Sequence, residues 1–187
     1  MTQADVAIVG IACRFPGDAK CPSALGDMLM QGRDAWTKVP SSRFNVDAFY
    51  HPSQKRKASM VCKGGYFLQD DITKWDAPFF ALSSTEAQAV DPQQRLLLEI
   101  AYESLENAGI PIEAVAGTDT ACYVGGFNSN YKSIISRDLL DTPQYSMTGC
   151  ASSMLANREP ARPVVDYGHG LLELHGSSAP SMRIHPV

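Results

Sequence analysis

The sequence predicts an α/β fold, and three stretches carry that prediction. Residues 6–11 are a short apolar run rich in β-branched side chains, and residues 120–126 are a second short run that ends in glycines. Runs of this kind are typical of strands that helices cover on both faces. Between them, residues 92–108 carry apolar side chains at helical spacing. A sheet packed against helices follows from these features.

The composition is that of one globular core. The chain has 187 residues, of which 44% are hydrophobic and 19% charged. With a net charge of −4, it has no feature that indicates a nucleic-acid or anionic-membrane partner. The only basic cluster, Lys55-Arg56-Lys57, is expected in a solvated loop.

The cysteines and the N-terminus indicate a cytoplasmic protein. Five cysteines with no C-x-x-C pair form neither a zinc motif nor a disulfide framework, so reduced thiols are expected. The start, Met-Thr-Gln-Ala-Asp, lacks the features of a secretion signal. No run approaches the ~18 apolar residues of a membrane span, so no membrane partner is expected.

The first predicted strand, 6–11, contains Gly10 and therefore invites a dinucleotide-binding hypothesis. Ala12 and Phe15 stand where the G-x-G-x-x-G motif needs glycines, and Pro16 stands where its helix should open. That hypothesis is therefore rejected.

The next region has a helix and then a long loop. Residues 22–32 are predicted as an amphipathic helix, and 33–65 as an ordered loop in which His51 is structural or solvated. The aromatic residues of 75–80 are expected to anchor a core. The adjacent carboxylates Asp70 and Asp71 do not form a catalytic pair, because neighbouring residues in a strand point to opposite faces.

The helix predicted at 92–108 has clear end signals. Asp91 is a good N-cap, Pro92 suits the first position, Gln94 has capping-box spacing, and Gly109 can close the helix. The apolar stripe is wide enough to predict burial on more than one side. A shorter helix should precede it, since Ser83 and Glu86 also have capping-box spacing.

The last part of the chain divides at residue 158. Residues 145–158 predict a helix of small residues that pack closely. Residues 159–187 contain four prolines and little apolar periodicity, which predicts a disordered tail.

A family resemblance runs nearly continuously through residues 5–158. It is carried by VAIVGIACRFPGDA (6–19), RFNVDAFYHP (43–52), GGYFLQDDITKWDAPFF (64–80), DPQQRLLLEIAYESLENAGI (91–110), TACYVGGFNSNY (120–131) and YSMTGCASSMLANR (145–158). These segments resemble the β-ketoacyl synthase (ketosynthase) domain of fungal iterative polyketide synthases. The resemblance implies the N-terminal portion of a thiolase-like fold over 1–158 and an unrelated tail over 159–187.

The resemblance also implies a chemistry whose catalytic groups are missing here. Ketosynthases condense an acyl group on a cysteine with a malonyl unit that loses carbon dioxide, using two histidines. Their substrates are linked to phosphopantetheine on an acyl carrier protein, and the family is homodimeric. The nucleophile and both histidine motifs lie downstream of the motif that ends here at Arg158.

No residue of this chain is therefore predicted to be catalytic, cofactor-binding or metal-binding. Cys150-Ala151-Ser152-Ser153 resembles the nucleophile turn by its letters, but its surroundings match an earlier helix, so Cys150 is expected to be a packing residue. His169 and His175 match no histidine motif of the family. Codons that encode Leu171–His175, read one nucleotide later, can encode Cys-Ser-Ser-Ser, so a frameshift or mis-splice is one hypothesis for the tail.

Three functions stay open at this point. The first is a truncated ketosynthase fragment that is inactive alone. The second is a small acyltransferase or hydrolase that uses Cys150, and the third is a non-catalytic module that docks on a synthase or carrier protein. A partial fold would leave a helix face and a sheet edge uncovered, which predicts poor solubility or self-association.

Overall fold

The computed structural model describes residues 6–128, 130–157 and 182–186. They form two compact units, one of residues 13–71 and one of the described residues on either side of it. In chain order the elements are α1 (Pro22–Met30), β1 (Trp36–Lys38), β2 (Gly64–Tyr66), α2 (Ser84–Ala89), α3 (Pro92–Ala108), α4 (Ile112–Val115), β3 (Thr120–Val124), α5 (Asn130–Ile135), α6 (Ser146–Cys150), α7 (Met154–Asn157) and β4 (Met182–Pro186). Short 3-10 helices occupy Val46–Ala48 and Leu139–Asp141.

In the unit of residues 13–71, α1 confirms the helix predicted there, although of its residues only Met28 is buried. The predicted loop 33–65 contains a strand, β1, which pairs antiparallel with β2. Gly64 makes this pairing possible, because a Cβ there would lie 2.3 Å from the Trp36 ring. His51 accepts a hydrogen bond from the Ser53 N–H at its Nδ1, 3.1 Å away, which fits a structural role.

The other unit is built around α3, whose predicted N-cap, Asp91, and closing glycine, Gly109, are both observed. The Asp91 side chain accepts the Gln93 N–H at 2.8 Å, and Gly109 closes the helix with φ 69°. The Ile110 N–H returns to the Leu105 carbonyl at 3.0 Å, which is the pairing of a Schellman cap. No residue between Pro92 and Leu105 is exposed, which confirms burial on more than one side.

The capping box predicted at the start of α3 is wrong. The Asp91 N–H donates to the Gly149 carbonyl at 2.8 Å instead of to the Gln94 side chain. The Gln94 amide donates to the Ala151 carbonyl at 3.4 Å. The beginning of α3 is therefore tied to α6 and the residue that follows it, rather than closed on itself.

The strand predicted at 6–11 does not form. The segment is irregular, with Val6 78%, Ile8 86% and Val9 69% exposed. A strand requires a hydrogen-bonded neighbour, and no described segment pairs with this one. It lies instead against α3, where a Cβ on Gly10 would come within 2.2 Å of the Ser104 carbonyl oxygen.

The second predicted strand forms as β3, but it is not covered on both faces. It pairs antiparallel with β4, with Cys122 opposite Ile184, and its Tyr123 is 59% exposed. β4 was not expected, because it falls in the segment predicted to be disordered. The remainder of the predicted tail lies outside the described residues.

The single helix predicted at 145–158 is divided into α6 and α7. Ala151 breaks it by adopting an extended conformation, with ψ 130°. Close packing of small residues is nonetheless observed, since a Cβ on Gly149 would lie 2.1 Å from the Ala89 carbonyl oxygen. No helix in the described part of the chain is long and apolar enough to cross a membrane.

Candidate functional site

A cavity of about 200 Å³ lies beside the start of α3. Three parts of the chain contribute its walls: the first turn of α3, the segment after β3, and α6 with α7. The lining residues are Asp91, Gln93, Gln94, Gly126, Phe127, Asn128, Cys150, Ala151, Ser152 and Leu155. The cavity is therefore lined by Cys150, the cysteine considered above as a possible nucleophile.

Cys150 is a buried thiol. It is the last residue of α6, it is 5% exposed, and its Sγ donates to the Ala89 carbonyl at 3.4 Å. Burial raises the pKa of the Cys150 thiol, and the nearby Asp91 carboxylate raises it further. Both effects disfavour the thiolate, which is the nucleophilic form.

The position of Cys150 on its helix also opposes catalysis. Reactive thiolates are stabilised at helix N-termini, where amide groups point outward, whereas Cys150 lies at the C-terminal end of α6. Among the residues that line the cavity there is no histidine. His169 and His175 lie outside the described residues. The prediction that Cys150 is a packing residue stays a prediction, and this geometry supports it.

Asp91 and Gln94 give the cavity a buried polar wall, with 6% and 2% of their surfaces exposed. Burial raises the pKa of the Asp91 carboxyl, while the hydrogen bonds from Gln93 and the charge of Arg95 act in the opposite direction. The Gln94 Oε1 is buried without a hydrogen-bond partner among the described residues. An unsatisfied buried acceptor of this kind costs about 1–3 kcal/mol.

The remaining candidate groups are dispersed. No group of three or more His, Cys, Asp and Glu in the described part of the chain could hold a metal ion. Asp70 is exposed and pairs with Lys20 at the surface of the unit of residues 13–71. Sequence reasoning missed the contacts that Gly149 and Gln94 make across the chain. The capping-box spacing pointed to Gln94 but to a different partner.

Comparison with known proteins assigns the fold. The model of the β-ketoacyl synthase N-terminal domain matches residues 3–159. The chain belongs to the β-ketoacyl synthase family. The predicted resemblance is thus confirmed.

The similar curated proteins are fungal polyketide synthases. The highly reducing polyketide synthase Dhc3 of Alternaria cinerariae is 45% identical over 174 residues, which cover 93% of this chain and 7% of that protein. The reducing polyketide synthase BOA6 of Botryotinia fuckeliana is 50% identical over 153 residues, 82% of this chain and 6% of that protein. The chain therefore spans less than a tenth of the length of these relatives.

Solved ketosynthase domains share the fold. The oxazolomycin ketosynthase domain OzmH KS7 of Streptomyces albus superposes with a TM-score of 0.72 at 29% identity, covering 83% of this chain and 27% of that one. The module 6 ketosynthase of the bacillaene synthase of Bacillus subtilis superposes with a TM-score of 0.65 at 27% identity. That match covers 84% of this chain and 26% of that one. The predicted partial ketosynthase fold is confirmed.

The boundary predicted at residue 158 stays a prediction. The family model ends at residue 159, which agrees with it. The match to Dhc3 covers 174 residues, however, and a match of that length must extend into the segment predicted to be unrelated.

Proposed function

We propose that this chain supplies the N-terminal part of a ketosynthase domain of a highly reducing polyketide synthase, and that it does not itself catalyse condensation. The observation that carries the proposal is the family match over residues 3–159, together with the identity to fungal polyketide synthases. The burial of the Cys150 thiol supports the proposal that the chain does not itself catalyse condensation.

The chemistry sets requirements that the cavity does not meet. Condensation transfers an acyl group from a thioester to a cysteine thiolate. Carbon dioxide then leaves the malonyl unit. The resulting carbanion attacks the acyl carbonyl, and the carbon–sulfur bond to the cysteine breaks, which releases the cysteine thiolate. A thiolate and groups that stabilise an oxyanion are needed. Burial disfavours the thiolate of Cys150, whose Sγ donates to the Ala89 carbonyl. We therefore propose that the chain contributes structure to the domain rather than its reacting atoms.

The context of a synthase supplies the partners. We propose that the substrates are acyl and malonyl thioesters on the phosphopantetheine arm of an acyl carrier protein, and that a second ketosynthase copy is present. Cys21, Cys62 and Cys150 form no disulfide within the described part of the chain, which supports a cytoplasmic location, since reduced thiols are typical of reducing compartments.

A condensation assay tests this function. The purified chain is incubated with an acyl thioester and malonyl-loaded carrier protein, and carbon dioxide release and the ketoacyl product are measured. We expect neither above background, and no difference between the chain and Cys150→Ala. Product formation that disappears in Cys150→Ala would show that the chain is a small acyltransferase using this cysteine.

A docking module is the second candidate, and the exposed apolar surface favours it. Among the described residues, eighteen large hydrophobic residues are exposed, whereas ten hydrophobic residues are buried. Co-purification of the chain with an intact synthase would support docking. Absence of the synthase from a tagged pull-down, under conditions where the tagged chain is folded, would argue against it.

A further inference from the structure

Two of the cysteines lie on opposite limbs of one short loop in the unit of residues 13–71. Cys13 is the first residue of that unit, and Cys21 is the N-cap residue of α1. Between them the chain reverses direction at Gly17, whose φ of 74° lies in the left-handed region that favours glycine. The loop therefore brings the second thiol back towards the first.

Two contacts hold the limbs of this loop together. The Phe15 N–H donates to the Ala19 carbonyl at 2.9 Å. The Arg14 Nη1 donates to the Lys20 carbonyl at 2.7 Å and to the Cys13 carbonyl at 3.3 Å. Counted outwards from Phe15 and Ala19, the positions in register are 14 with 20, and then 13 with 21. The contacts therefore close the loop as far as the two cysteines, which occupy facing positions.

We propose that Cys13 and Cys21 form a reversible disulfide when the chain meets a disulfide oxidant such as oxidised glutathione. Facing positions of antiparallel segments have Cα atoms about 4.5–5.5 Å apart, and a disulfide needs about 4.4–6.8 Å. A bond at this place therefore requires little movement of the backbone. Disulfides that form transiently do occur in reducing compartments, so the bond is compatible with the reduced thiols expected above. It is independent of whether the chain catalyses condensation.

Cys21 is the thiol that reacts first. Its side chain belongs to an exposed residue, whereas Cys13 is half-buried. Hydrogen bonding from Ser23 lowers the pKa of the Cys21 thiol, and the charge of Arg14 acts in the same direction. A lower pKa increases the fraction of thiolate, which is the attacking form of a cysteine.

The reaction exchanges two thiols for one disulfide. The Cys21 thiolate attacks one sulfur of oxidised glutathione, so that a mixed disulfide forms and one glutathione thiolate leaves. The Cys13 thiolate then attacks the Cys21 sulfur, and the second glutathione thiolate leaves as the bond between the cysteines forms. The two cysteines together lose two electrons. Oxidised glutathione is reduced to two molecules of glutathione, which take up the two protons that the thiols release.

Titration with glutathione redox buffers tests this pairing. The chain is equilibrated at a series of ratios of oxidised to reduced glutathione, quenched with acid, digested with trypsin and examined by mass spectrometry. Trypsin separates the two cysteines, because it cuts after Arg14 and Lys20, so the bond joins the peptides 1–14 and 21–33. We expect this linked pair to exceed any linkage to the exposed Cys62 by at least about tenfold. A linked pair no more abundant than linkages to Cys62 would overturn the proposal.

A denatured sample and two variants separate the geometry of the loop from nearness in sequence. Concentrated urea removes the contacts of the loop, and we expect the equilibrium constant for the bond to fall at least about tenfold. Cys13→Ser should leave Cys21 as a mixed disulfide with glutathione. Cys62→Ser is the matched control in the same unit, and it should form the bond as the unmodified chain does. An equal constant in urea, or loss of the bond in Cys62→Ser, would contradict the proposal.

Discussion

At the scale of single residues, Asp91 carries both structural and electrostatic effects. Its side chain caps α3 by accepting the Gln93 N–H, and its backbone N–H donates to Gly149. Burial of the same carboxyl raises its pKa above the ordinary 3.8. The cap favours folding, whereas the buried charge of the ionised carboxyl opposes it. Because the charge depends on pH, a series of stability measurements at different pH values separates the two effects.

Asp91→Asn should therefore become relatively more stable as the pH rises. A raised folded-state pKa means that the folded chain keeps a proton which the unfolded chain has lost, so stability falls as the pH increases from about 3.8 through the folded-state pKa. Asparagine keeps the capping oxygen without titrating. Denaturant unfolding of both proteins from pH 3.5 to 7 measures this. If the unfolding free energies of the unmodified chain and Asp91→Asn change in parallel with pH, the prediction is contradicted. Asp119→Asn is the control, because Asp119 is exposed.

The thiols of Cys21 and Cys150, whose pKa values are shifted in opposite directions, should differ in alkylation rate. Cys21 is the exposed N-cap of α1, and hydrogen bonding from Ser23 and from the backbone of Ala24 lowers the pKa of its thiol. Burial raises the pKa of the Cys150 thiol. Below pH 9 we expect iodoacetamide to modify Cys21 about tenfold or more faster than Cys150. Peptide mass spectrometry over time gives both rates, and equal rates would disprove the buried-thiol assignment.

At the scale of elements, local signals were predictable and non-local pairings were not. The ends of α3 depend on Asp91 and Gly109, whose effects reach only a few residues, so the sequence was sufficient to predict them. Residues 6–11 have the composition of a strand, but a strand also needs a neighbour, and that neighbour cannot be read from the segment itself. The same limit explains why β4 was not expected.

The candidate site shows the same division. The small residues of α6 indicated close packing, but the partner of Gly149, the carbonyl of Ala89, lies 60 positions away in the chain. The break at Ala151 was missed because no proline or glycine marks it. The spacing of Gln94 predicted a capping box at the start of α3, yet its side-chain amide donates to the Ala151 carbonyl instead.

Gly149→Ala tests the contact between α6 and the end of α2. A methyl group would meet the Ala89 carbonyl oxygen at 2.1 Å, and the three nearest atoms are all backbone atoms of Ala89 and Val90, which leaves little room for adjustment. We expect a loss of about 1–3 kcal/mol in the free energy of unfolding. Gly125→Ala is the matched control, because a Cβ there meets nothing within 4 Å, and it should change stability by no more than about 0.5 kcal/mol. Equal effects would contradict the packing described here.

At the scale of the whole molecule, the chain has part of the fold of a ketosynthase domain, and the match covers about a quarter of each solved ketosynthase chain. The described part buries α3 well but leaves the four β-branched side chains of residues 6–11 and Tyr123 of β3 exposed. These surfaces are consistent with a structural contribution to a larger assembly. We propose that the cavity beside α3, where burial raises the pKa of the Cys150 thiol, does not serve as an acyl-transfer site.

Acylation of Cys150 is the most direct test of this account. The purified chain is incubated with an excess of an acyl thioester at pH 7.5 and examined by intact-protein and peptide mass spectrometry, with Cys150→Ala in parallel. We expect no stoichiometric acyl group at Cys150 and the same background in both proteins. One acyl group per chain at Cys150, absent from the variant, would show that this buried thiol is a nucleophile and that the account is wrong.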